Sequence, residues 1–183
     1  MPFERRRNGR NVSKPIRTAV SSTPIANSSK NPLREPVVAS LAVASAAATF
    51  ATPGVNIGAF CATPSVALGR AVGRMHAMEM LLTGEAIGAE RAREIGLVNR
   101  VVAPEALDAE VEALARLIAS KSPAAIASGK AVFYRQLEMP LDEAYAVAGK
   151  AIACDFFGAD GKEGVDAFLG KRPPRWKARS SGC

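Results

Sequence analysis

Every strand candidate in this chain lies before Ala103, and from Pro104 onward the apolar residues follow a helical period almost without interruption. Leu41 to Ser45 and Ala48 to Ala51 read as short strands around an alanine-rich turn, and LVNRVV (97–102) as a third. Three such strands cannot close a stable sheet alone, and their edges stay open to pairing with other chains. The pattern is α/β, with a sheet that looks incomplete on its N-terminal side. It predicts poor solubility for an isolated monomer.

Between and after the strands the helical signals are plain. Apolar residues at Val66, Leu68, Val72, Met75, Met78, Met80 and Leu82 predict one buried helix from Ser65 to a stop at Gly84. A short helix is expected over Glu90 to Ile95. An amphipathic one follows from Pro104 to Ser120, with Leu107, Val111, Leu114 and Ile118 on one stripe. Pro123 stops it, and further helices are expected at about 124–136, 141–157 and 164–169. The segment ATPGVNIG (51–58) sets a proline-glycine turn between the strands and the first helix.

The net charge of +7 would suit a nucleic-acid binder if it were spread over a folded face. It is not. Residues 1–34 hold eight Lys/Arg against one Glu, residues 35–170 hold eleven against sixteen Asp/Glu, and Lys171 to Arg179 add five more positive charges. The body is mildly acidic and the basic character belongs to the two ends, so no nucleic-acid partner is expected. Residues 1–36 read as a disordered basic leader, 37–177 as the ordered region and 178–183 as a tail. The Arg- and Ser-rich leader also has the composition of a mitochondrial transit peptide, although prolines at 2, 15, 24 and 32 break any amphipathic helix there. Charges and prolines interrupt the apolar runs, so no membrane span is expected. Cysteines at 61, 154 and 183, odd in number and widely spaced, argue against a disulfide framework or a zinc site. A reducing compartment fits best. The location is read as cytoplasmic, with the mitochondrial matrix as the alternative.

FATPGVNIG (50–58), ALGRAVGRMHAMEMLLTGEAIGAERAREIGLVNRVV (67–102) and EGVDAFLGKRPPRW (163–176), in that order and spacing, resemble the enoyl-CoA hydratase/isomerase family, the crotonases. The resemblance covers about residues 37–177. It implies a partial crotonase-like fold, a ββα superhelix leading into a helical C-terminal trimerisation region. It implies acyl-CoA thioesters as substrates, with no further cofactor and no metal. It also implies lyase or isomerase chemistry in fatty-acid and lipid metabolism, with a homo-oligomer or full-length crotonase subunits as partners.

Carried over residue by residue, the resemblance exposes a deficit. Crotonases hold the thioester oxygen with two backbone N–H donors, each contributing roughly 10² to 10³ in rate, and hydratases add two glutamates for proton transfer, roughly 10² to 10⁴ apiece. Counting back from Phe50 without a gap, the first glutamate position falls on Arg34, and the glycine turn on 30–33, where there is no glycine. The second glutamate position falls on Gly54. No catalytic residue can therefore be named, and the expected behaviour is that of a family member inactive on its own. Gly54 also stands in the branch of the family that this chain resembles. Ser40, where that branch tends to have Asp, is consistent with decay near the junction with the leader. The expected origin is the C-terminal half of a crotonase-like domain joined to an unrelated leader by a wrong start, a frameshift or a gene remnant. A non-catalytic module that joins crotonase oligomers is the alternative.

The matching basic residues near the end of crotonases approach the phosphates of coenzyme A, which implies CoA contact for Lys171 and Arg172. Trp176 is expected to pack or anchor the tail. Cys61 reads as a small buried residue, His76 as an ordinary helix position, and Asp155 and Asp160 as a solvated helix end.

Overall fold

The structure, a computed structural model, describes residues 40–177. Arg34, the leader 1–36 and the tail 178–183 lie outside the described residues. The chain divides into two compact units at Ala115/Arg116.

The first unit is α/β. Among the described residues there are four short strands: β1 (Val43–Ser45), β2 (Thr49–Phe50), β3 (Ile87–Gly88) and β4 (Arg100–Val102). β1 pairs in parallel with β4, Val43 opposite Arg100 and Ser45 opposite Val102. β2 pairs antiparallel with β3, Phe50 opposite Ile87. All three residues of β1 are buried, as a strand covered on both faces requires. Asn99 locks the register at the start of β4: its side-chain oxygen accepts the Ala42 N–H at 2.7 Å, while its own N–H donates to the Ala42 carbonyl at 2.8 Å.

The expected single helix from Ser65 to Gly84 is two helices, α1 (Ala62–Ala71) and α2 (Arg74–Thr83). Val72 goes extended and Gly73 begins the second helix with non-helical dihedrals. The glycine that allows the break was visible, but the apolar spacing ran straight through it. The break lets Leu68 and Val72 of the first helix and Ala77, Met80 and Leu81 of the second share one cluster with Ile95, closed by Phe50, Cys61, Ile87 and Leu97. A second cluster joins Ala44 to Ala89, Ala92 and Val98. Ala89 and Ala92 belong to α3 (Ala89–Glu94), whose small residues let the helix lie close to β1. Full burial of Val43 contributes about 1.5–3 kcal/mol.

After the helix α4 (Leu107–Ala119), which crosses the division, the regular elements among the second unit's described residues are all helices: α5 (Pro123–Gln136), α6 (Leu141–Phe157) and α7 (Ala159–Leu169). Pro123 does not merely stop α4. It occupies the first turn of α5, where no N–H is missed, and the Ser122 hydroxyl caps that helix by accepting the Ala125 N–H at 3.1 Å. Helix α7 begins five residues earlier than its expected start at Gly164, directly after Gly158.

Few side chains are buried in this unit. Ala144 and Ala167 are, together with Ser122 and Asp160. Asp160 is thus no solvated helix end: it is only 6% exposed and accepts the Ser122 hydroxyl at 2.6 Å. The Ser122→Ala variant removes both a helix cap and the partner of a buried carboxylate. We expect a loss of about 1–3 kcal/mol, read from urea unfolding followed through Trp176. An unchanged midpoint would contradict the cap-and-carboxylate account.

Candidate functional site

The proline-glycine turn is a tight 3₁₀ turn, Pro53–Ile57, closed by Gly58 in the left-handed region at φ 80°. It is anchored from both sides. The buried Thr52 hydroxyl donates to the Met80 carbonyl of α2 at 2.8 Å. Gly84, left-handed at φ 64° just beyond that helix, lies against Val55 and Asn56, so a Cβ there would stand 3.0 Å from the Val55 methyl. At the centre is Gly54. Its N–H donates to the Cys61 sulfur at 3.3 Å and its carbonyl accepts the Ala59 N–H at 2.9 Å. A Cβ on Gly54 would run into the Ala59 carbonyl oxygen and come within 2.7 Å of the Cys61 sulfur.

That geometry gives a physical reason for the glycine. A carboxylate cannot be presented from this position while the loop and the sulfur keep their places, so the corner holds no proton-transfer group of its own. Cys61 is a free, half-buried thiol whose sulfur packs into the turn. Its part in filling the space over Gly54 was not legible from a cysteine seven residues away. Cys154 is disulfide-bonded, whereas the odd number and wide spacing of the cysteines argued against a disulfide framework. His76 is an ordinary surface residue, 3.4 Å from the Arg91 guanidinium and 3.9 Å from Glu79. Among the described residues no group of three or more His, Cys, Asp or Glu could hold a metal ion, and no helix is long and apolar enough to cross a membrane.

Lys171 and Arg172 lie in the second unit, at the end of α7, and their surroundings differ sharply. The Arg172 N–H bonds to the Ala167 carbonyl at 3.0 Å and the Lys171 N–H to the Phe168 carbonyl at 3.2 Å, the paired bonds of a Schellman helix end. The left-handed residue of that motif is Lys171, at φ 49°, although Gly170 stands immediately before it. For a side-chain-bearing residue this conformation costs about 1–2 kcal/mol.

Arg172 is not a free cation. Its guanidinium grips both oxygens of Glu163, at 2.6 and 3.0 Å. The same carboxylate accepts the Arg175 N–H at 2.7 Å. Two residues on, Asp160 accepts the Lys177 N–H at 2.9 Å, and between them the Trp176 indole donates to the Ser120 carbonyl at 2.8 Å. The indole lies over Gly164, where a Cβ would touch the ring at 3.6 Å. Trp176 does anchor the tail. The acidic half of this arrangement, Glu163 and Asp160, was missed in the sequence, because no local pattern ties a helical glutamate to an arginine nine residues later across a helix end.

The Arg172 bond, then the Arg175 N–H, hold the Glu163 carboxyl down from its ordinary value of 4.5 to about 2. Glu163 in turn pushes the Arg172 guanidinium further up.

The profile of the enoyl-CoA hydratase/isomerase family matches residues 36–179 of this chain. Enoyl-CoA hydratase domain-containing protein 3, mitochondrial, of Rattus norvegicus is 51% identical over 136 residues, covering 74% of this chain and 45% of the rat protein. Among solved structures, an enoyl-CoA hydratase of Mycobacterium smegmatis is 54% identical with a TM-score of 0.73, covering 75% of this chain and 54% of that one. Human enoyl coenzyme A hydratase domain-containing protein 3 is 48% identical, also with a TM-score of 0.73, over 75% of this chain and 55% of that one. The chain spans about half the length of the curated relatives it matches.

A carboxyl with a depressed pKa in the folded state contributes stability above its ordinary value and loses it as the pH falls towards the folded one. The Glu163 hold on the tail is therefore complete above about pH 4.5 and fades towards about pH 2. Trp176 is the only tryptophan, so its emission should shift to the red across that window in the intact chain. The Glu163→Gln variant should show the shifted emission already at neutral pH. Wild-type emission in Glu163→Gln at neutral pH would contradict the assignment.

Proposed function

The chain belongs to the enoyl-CoA hydratase/isomerase family, and from that premise we propose that it binds acyl-CoA thioesters without hydrating an enoyl thioester by itself. The observation that carries this reading is the closed corner at Gly54. The position that corresponds to a hydratase carboxylate has neither the carboxylate nor the space for one. The other glutamate position falls on Arg34, a cation. Each missing proton-transfer group removes roughly 10² to 10⁴ in rate, so the product of two leaves little above the uncatalysed reaction.

Binding calls on different residues. Phosphate recognition needs durable positive charge, and by resemblance Lys171 and Arg172 match the basic residues that the family brings to coenzyme A. Of the two, Lys171 is the freer donor, because the Arg172 guanidinium is spent on Glu163. Coenzyme A enters as part of the substrate, not as a resident cofactor. The vertebrate relatives are named as mitochondrial, which favours the mitochondrial matrix over the cytoplasm as the place of work.

A second reading, a module that joins family oligomers, is favoured by helix α6. Leu141, Tyr145, Ile152 and Phe156 lie four, seven and four residues apart and are each more than half exposed. That spacing puts them on one helical face, and a soluble monomer rarely leaves such a stripe uncovered. A second copy of the chain or a full-length family member is the partner proposed.

Purified away from host crotonases, the chain should bind an acyl-CoA by calorimetry while crotonyl-CoA hydration stays at background. Turnover well above background would overturn the inactivity, and an absence of heat would overturn the binding. For the second reading, Tyr145→Glu should lower the mass measured by light scattering, and an unchanged mass would count against α6 as the contact.

A further inference from the structure

The helix end at Lys171 has two ways to be built. A left-handed residue is needed after α7, and Gly170 could take that conformation without a steric penalty. The structure instead puts Lys171 there, at φ 49°, and leaves Gly170 at φ −77°. A conformation disfavoured locally persists only where its surroundings over-determine it.

The surroundings that do so are two carboxylates of α7. Glu163 takes the Arg172 guanidinium with both oxygens and the Arg175 N–H besides. Asp160, buried and already bonded to Ser122, takes the Lys177 N–H. A helix end slipped by one residue, with Gly170 left-handed, would carry these donors out of register with their acceptors. The Trp176 bond to Ser120 would be lost with them.

We propose that Glu163 and Asp160 are positioning residues, clasping segment 172–177 so that the helix end forms at Lys171 and presents its ammonium group to the phosphates of coenzyme A. The proposal rests on the acyl-CoA reading for the ligand alone; the clasp itself is a property of the second unit. It has a consequence opposite in sign to simple electrostatics. Glu163 is an anion near the proposed phosphate site, so its charge alone would repel the ligand, and neutralising it would tighten binding. If Glu163 acts by holding the tail, neutralising it weakens binding instead, because the segment must be ordered when the ligand arrives.

The test uses the full chain, free coenzyme A in a calorimeter and Trp176 emission. Glu163→Gln should bind coenzyme A about tenfold more weakly, the size expected when one or two rotamer-rich side chains must be fixed on binding, with red-shifted, more readily quenched emission. Arg175→Pro removes one clasped N–H without touching any helix, and should shift the emission in the same direction. Lys171→Gly should weaken binding while leaving the emission unchanged, since glycine suits the left-handed turn. Tighter binding by Glu163→Gln, or wild-type emission in both Glu163→Gln and Arg175→Pro, overturns the proposal. Should the wild-type chain bind no coenzyme A, the acyl-CoA reading and the ligand half of the proposal fall together, and the two emission spectra still decide the clasp.

Discussion

The Ala59 carbonyl and the Cys61 sulfur approach Gly54 so closely that the turn admits no side chain there, and much of the first unit is arranged around that contact. The approach aims the chain from the turn into α1. It sets Cys61 at the helix start, where its ring of neighbours includes the apolar cluster of Leu68, Met80 and Leu81. The Thr52 bond to Met80 and the packing of Gly84 on Val55 and Asn56 tie the same turn to the far end of α2. A corner fixed at both ends cannot yield a few tenths of an ångström without disturbing the core behind it. What is absent from the corner is therefore a property of the packing as well as of the residue at position 54.

The second unit works on a different principle. It buries little apolar surface, and its defining contacts are polar: Ser122 to Asp160, Asp160 to the Lys177 N–H, Glu163 to Arg172 and Arg175, Trp176 to Ser120. Hydrogen bonds to ionised carboxylates are among the stronger ones, and several of them meeting on one short segment define its path where hydrophobic burial does not. The exposed aromatic and aliphatic side chains of α6 are the counterpart of that thin core.

Sequence periodicity made α4 to α6 legible because long amphipathic patterns and a proline-serine boundary act locally. It failed at Val72–Gly73, where apolar spacing ran on through a break that tertiary packing demanded, and at β3, whose two residues pair with β2 only in three dimensions. Resemblance identified the turn at 53–54 and the basic pair at 171–172. It could not say that Arg172 is committed to Glu163, or that Asp160 is buried, since both facts depend on a tail folding back over helix α7. Charge counting marked the C-terminal end as a basic tail, whereas two of its backbone N–H groups and one arginine are held by acids.

The closed corner is the central element of this account, because the functional reading turns on it. Gly54→Ala adds a single methyl group at the point of closest approach and tests it directly, by thermal or urea unfolding followed through helicity. The account predicts a loss of about 1–3 kcal/mol, as for overpacking against backbone, partly relieved when Cys61→Ala is combined with it. An alanine at position 54 that leaves stability unchanged or raises it would mean that the turn has room for a side chain, and would contradict the account.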